Sequence, residues 1–308
     1  MLFNRDNKGS EELRELTGNY FANNDFSKIT GEIEIASEEL ATLIDKGIFE
    51  KVETAYRENS SDATDKTLIR KFQRPIAILA TLNLYRKNDL SHEDDGRKFK
   101  IDDEHEKLPW EWQLDRDDEI HLEEYYKAVD ALIRFLNESN IEEWKHTDRY
   151  KGLQALLIRS GAEFDNYFPI NGSERTFLLL APFIREVQIL HIKRAYGDNW
   201  EWLLEKQEGV SLDAHFAACK ATALLAMSLA LSRMQLSLIP CGVIRRYTAE
   251  NGAAKSAPAG TDEVRQIAAW LYEDAKKWIN EMKQARDGGE ITYNLLPDNS
   301  PTNKFFRA

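Results

Sequence analysis

Residues 26–52, FSKITGEIEIASEELATLIDKGIFEKV, decide how the chain folds. Apolar side chains recur at Ile29, Ile33, Ala36, Leu40, Leu43, Ile44, Ile48 and Val52, with charged residues between them. Residues three and four apart lie on one side of an α-helix, so this period marks a helix that buries one face. The spacing predicts one long amphipathic helix, kinked near Gly47. A second such segment lies 151 positions further on, where Phe26 falls on Phe177, Ile29 on Leu180, Ile33 on Ile184, Ala36 on Val187, Ile44 on Ala195, Phe49 on Trp200 and Val52 on Leu203.

The match continues downstream. Leu68 to Tyr85 turns almost wholly apolar from Pro75 to Ala80, as expected of a central helix packed on several sides, with Pro75 near its first turn. At an offset of 150, Leu79 and Ala80 fall on Leu229 and Ala230. Leu122, Tyr125, Tyr126, Val129, Leu132, Ile133 and Leu136 outline a third amphipathic helix. At an offset of 146, Tyr126 falls on Tyr272, Leu132 on Trp278, Ile133 on Ile279 and Leu136 on Met282. Any two amphipathic helices match apolar to apolar by chance, but three in one order at a slowly drifting offset favour an internal duplication.

Between the second and third helices lies a charged, turn-rich stretch, Lys87 to Asp118, whose runs Lys98–Ile101 and Trp110–Leu114 are expected to pair as a small β-hairpin. The second half places an extended run, Gln235 to Tyr247, at that point, and then a Gly- and Ala-rich loop, Asn251 to Gly260. The expected fold is mainly α: a duplicated helical-bundle unit with small β-hairpin or extended excursions. Its parts are a first repeat over 1–150, a second over 151–287 and an extended C-terminal tail over 288–308.

With 308 residues, 42% hydrophobic and 31% charged, the chain has enough material for a real core and for helices with long solvated faces. The 53 acidic residues against 41 basic ones give a net charge of −12, which repels duplex DNA over most of the surface. An acidic wall can still surround a polyanion and let it slide past. Cys219 and Cys241, 22 positions apart in apolar surroundings, fit neither a zinc site nor a disulfide framework and read as buried thiols in a reducing compartment. Met1 to Ser10 has no apolar core of a signal peptide. Ala214 to Leu231 is interrupted by Lys220, Thr222 and Ser228 and reads as a buried helix, so no membrane span is expected.

Chemical motifs are scarce. The clusters around His92 (with Glu93, Asp94 and Asp95) and His105 (with Asp102, Asp103 and Glu104) lack metal-ligand spacing and read as solvated acidic loops. His191 takes the place of Leu40 in the repeat and reads as a core or boundary residue. Arg245 and Arg246 with Lys193 and Arg194 suggest a small basic spot answered by the surplus acid. No nucleophile elbow or phosphate loop is present, and carboxylate pairs such as Glu123 and Glu124 are uninformative in so acidic a chain. The expectation is a non-enzyme with no catalytic residue, metal or cofactor.

The pattern of Ile29, Ile33, Ala36, Leu40, Leu43, Ile44, Gly47, Ile48 and Phe49 resembles the opening helix of tailed-phage head–tail connector proteins, the adaptor or ring proteins stacked beneath the portal. Further along, Phe164-Asp165-Asn166-Tyr167-Phe168, then Ser173, Thr176, Phe177, Leu180 and Pro182-Phe183-Ile184, and finally Ile239, Pro240, Gly242 and Val243 resemble a group of phage and prophage proteins of about this length. The ending Asn303-Lys304-Phe305-Phe306 is similar to aromatic C-termini in that group. The resemblance implies a virion neck protein made and assembled in the cytoplasm of the bacterial host. It would form a twelvefold homo-oligomeric ring around the DNA channel, touching the portal and other neck or tail proteins, with DNA passing through unbound and no catalysis. The chain departs from simple adaptors in being about twice as long and duplicated. Leu295, Leu296, Phe305 and Phe306 are the expected protein-interaction residues, since a polar, Pro-broken tail cannot bury them alone. The alternatives are a cellular helical scaffold or regulatory binding module and, behind it, an enzyme without a recognisable motif.

Overall fold

The computed structural model describes residues 1–18, 25–89, 91–93, 96–98, 110–205, 210–233, 244–248, 254–258 and 260–288. The protein is mainly α. It divides into two compact units: Met1–Leu153 with Ser173–Arg175, and Gln154–Gly172 with Thr176–Ala308.

The first unit contains α1 (Gly9–Thr17), α2 (Ser27–Leu43), α3 (Lys46–Arg57), α4 (Ala63–Asn88), α5 (Glu111–Glu138), α6 (Glu142–His146) and α7 (Asp148–Gln154). The single kinked helix expected from Phe26 to Val52 is two helices, and the break lies at Asp45, not at Gly47. The Asp45 carboxylate accepts the Gly47 and Ile48 N–H groups at 2.8 and 3.2 Å, so a side chain satisfies the free donors that open α3. Ile29, Ile33, Ile44, Val52 and Phe72 are fully buried, each contributing roughly 1.5–3 kcal/mol of apolar transfer. Pro75 is not in the first turn of α4 but in its interior, because α4 starts at Ala63, capped by Asp62, whose carboxylate accepts the Thr64 and Asp65 N–H groups.

The first hairpin joins β1 (Ser91–Glu93) to β2 (Gly96–Lys98), with Ser91 opposite Lys98. The strand expected at Trp110–Leu114 is the start of α5 instead. Gln113 accepts the Trp110 N–H at 2.9 Å, a helix-opening contact that overrides the aromatic preference for strands. Residues 99–109, which include the rest of the other expected strand, lie outside the described residues.

The second unit contains α8 (Gly161–Asp165), α9 (Glu174–Val187, whose first two residues belong to the first unit), a π-helical turn (Gln188–Lys193) leading into α10 (Arg194–Tyr196), α11 (Glu201–Glu205), α12 (Leu212–Arg233) and α13 (Thr261–Arg286). On α12, Ala214, Ala217, Ala218, Ala221, Ala223, Ala226 and Ala230 are all buried. Such small side chains let α13 lie close, and the Ser228 hydroxyl donates to the Ala268 carbonyl at 2.8 Å. By length and composition α12 matches a membrane span, and 67% of its apolar window is buried inside the unit. A second hairpin pairs β3 (Ile244–Thr248) with β4 (Ala254–Pro258). Residues 254–258, expected in a loop, are a strand because pairing supplies hydrogen bonds that their weak strand propensity does not predict.

Both units run through the same succession: long helix, short helix, long buried helix, hairpin, long helix. In the first these are α2, α3, α4, β1–β2 and α5; in the second they are α9 to α10, α11, α12, β3–β4 and α13. Ile29 and Leu180, Ile33 and Ile184, Ala36 and Val187, Phe49 and Trp200, and Val52 and Leu203 are pairwise buried. The last helix departs from the pattern: Tyr126 lies under the Arg175 guanidinium at 3.8 Å, whereas Tyr272 is exposed.

Candidate functional site

The predicted interaction residues Leu295, Leu296, Phe305 and Phe306 lie outside the described residues, as do Cys241 and the His105 cluster. Among the described residues no group of three His, Cys, Asp or Glu side chains is placed to hold a metal. Cys219 is fully buried on α12, with its sulfur 3.8 Å from the ring nitrogens of His215 one turn away. A thiol sealed from solvent meets no substrate, so this pair is packing. His191 is half-buried on the π-helical turn. Lys193 sits 4.9 Å over the Trp200 ring and pairs with Glu201 at 3.6 Å, so it is answered locally.

A groove of about 920 Å³ lies in the first unit. Its main wall is the outer side of α4. The inner side of that helix buries Leu68, Phe72 and Ile76, and this turns Lys66, Arg70 and Arg74 outward. Those three are four residues apart in succession, so they stack along one face at about 6 Å per step. Lys71 lies beside them, and Ile69 adds an apolar contact. The flanking walls come from Glu15 and Leu16 on α1 and from Glu124, Lys127 and Ala128 on α5.

One end of the groove is held by a network built around Tyr56. The Tyr56 hydroxyl donates to Glu12 Oε1 at 2.6 Å and accepts the Arg5 N–H at 2.9 Å. Arg5 Nη1 donates to the Tyr56 carbonyl at 2.6 Å, with its guanidinium carbon 4.9 Å from the ring centre. Burial, and then the hydrogen bond to Glu12, push the Tyr56 hydroxyl well above the ordinary tyrosine range. Gln73 donates to the Leu2 carbonyl at 2.7 Å, pinning the N-terminus against α4. This end is therefore pre-formed.

The cations of α4 differ from the others in the groove. Arg5 is committed to Tyr56, and Lys127 pairs with Glu123 at 3.4 Å. Lys66, Arg70, Lys71 and Arg74 have no ion pair among the described residues, in a chain where acids outnumber bases by 53 to 41. Like charges one turn apart destabilise a helix slightly, so the row gains nothing for the isolated subunit.

A scan of family models, a search of curated proteins and a search of solved structures each return no match to this chain. The groove is not legible in a second helix begun at Leu68, past Lys66, or in adjacent basic pairs such as Arg245 and Arg246. The available signal was the helical row Lys66, Arg70, Arg74.

Proposed function

We propose that this chain is a virion structural protein, a ring subunit of the head–tail connector beneath the portal, surrounding the DNA channel without catalysing a reaction. The observation that carries the reading is the motif of Ile29, Ile33, Ala36, Leu40, Ile44, Ile48 and Phe49. Its residues form the buried faces of α2 and α3, and their counterparts recur in the second unit. Two supports are physical. A net charge of −12 suits a conduit that must not grip a polyanion. Long helices with charged outer faces suit side-by-side packing of identical copies.

The partners on this reading are further copies of the chain, the portal and other neck or tail proteins. The deciding experiment is electron cryomicroscopy of the purified full-length protein over a range of concentrations. Closed rings with an open central channel are expected. A chain that stays monomeric throughout, or assembles without a channel, overturns the reading.

A further inference from the structure

We infer that the cationic groove beside α4 is the receiving half of a head-to-tail contact, and that its occupant is the exposed acidic face of α2 from a second copy of this chain.

Two surfaces of the first unit carry charges without an ion-pair partner among the described residues. The first is the row Lys66, Arg70, Arg74 with Lys71, unpaired among the described residues and backed by the apolar Leu16, Ile69 and Ala128. The second is the outer side of α2. Glu34 and Glu38 are exposed one turn apart and, among the described residues, have no ion pair. Between them in sequence, Ile35 is 45% exposed, an apolar side chain left partly open to solvent. Carboxylates four residues apart on a helix repeat at about 6 Å, the same step as the cations of α4. Two carboxylates can thus meet two successive cations in register while Ile35 lies on the apolar strip.

Neither Glu34, Ile35 nor Glu38 lines the groove of its own subunit. The two surfaces are distinct, so joining them is heterologous, and a heterologous contact propagates into a closed ring or an open filament. Nucleic acid is the weaker occupant, because a phosphate backbone brings no apolar side chain to Leu16, Ile69 and Ala128 and the chain as a whole carries a net charge of −12. Taking the partner to be a second copy rests on the ring reading and gives that ring its contact.

Charge exchange on the full-length chain tests this, read by sedimentation velocity with circular dichroism as the check on folding. Arg70→Glu with Arg74→Glu is expected to raise the dissociation constant of self-association by roughly tenfold or more, as is Glu34→Arg with Glu38→Arg. Mixing the two variant proteins is expected to restore assembly, because each then supplies the surface that the other lacks. All four positions are solvent-facing or at the groove wall, so both variants are expected to keep wild-type helicity. Assembly indifferent to either double reversal overturns the inference, and so does a mixture that fails to recover. So does labelled duplex DNA that binds the wild type and not the groove variant while self-association is unchanged, for the groove is then a nucleic-acid site. Closed rings that ignore the reversals sink this contact and leave the ring reading standing. Recovery on mixing with only dimers or open filaments does the opposite.

Discussion

Replacing Gln188 by leucine tests how the second unit holds its irregular backbone. Residues 155–158 form no helix or strand, and Leu156, Leu157 and Ile158 are nonetheless buried. Buried backbone needs hydrogen-bond partners, and Gln188 supplies them. Its Oε1 accepts the Leu157 N–H at 2.9 Å, and its Nε2 donates to the Ala155 carbonyl at 3.0 Å. Gln188 itself is only 4% exposed, at the point where α9 widens into the π-helical turn. Leucine preserves most of the volume and removes both bonds. The buried Leu157 N–H is then orphaned, costing about 1–3 kcal/mol, while the carbonyl of exposed Ala155 turns to water and loses about 0.5–1.5 kcal/mol. Allowing for the apolar gain of leucine, the net loss is roughly 2–3 kcal/mol. For a unit of this size, that lowers its melting temperature by roughly 4–12 °C. Differential scanning calorimetry of the full chain reads this, and the transition of the second unit should move while that of the first stays. A second-unit transition within about 0.5 kcal/mol of wild type would refute the account of residues 155–158 as a segment held by one amide.

Three further outcomes are expected. An experimental structure should superpose residues 20–140 on 175–286 helix for helix, with Ile29 over Leu180 and Val52 over Leu203; a different spatial order of helices would end the duplication. Burial raises the hydroxyls of Tyr56, Tyr167 and Tyr125 above the usual 10, Tyr125 to about 12. Because the unfolded chain releases those protons first, the stabilisation is complete below pH 10 and is lost as pH rises through the folded values. Absorbance titration near 295 nm paired with urea melts should show this decline, and a melt flat from pH 9 to 12 contradicts it. Deleting residues 290–308, which removes Leu295, Leu296, Phe305 and Phe306, should leave helical circular dichroism unchanged and weaken self-association. Wild-type assembly by the truncated chain argues against an anchoring tail, and unfolding places the tail in the core.

Helical periodicity carried most of the architecture. Ile29, Ile33 and Ala36 are buried in α2 as their spacing requires, because residues three and four apart share a face whatever packs against it. The order of elements in the two halves was likewise legible, since apolar positions recur at a nearly constant offset. Boundaries were less so. The spacing places a kink near Gly47, whereas Asp45 makes the break between α2 and α3 by capping. Trp110–Leu114 looked like a strand by composition, and a local hydrogen bond from the Trp110 N–H to Gln113 opens a helix there. The groove was least legible. The basic row on α4 is written in the sequence, but whether Lys66, Arg70 and Arg74 find acidic partners depends on which helices stand beside them. Sequence sets which side of α4 is charged, through the 3.6-residue period. Only tertiary packing leaves that side unanswered among the described residues, because α1 and α5 bring their carboxylates to the walls of the groove without an ion pair to the row itself.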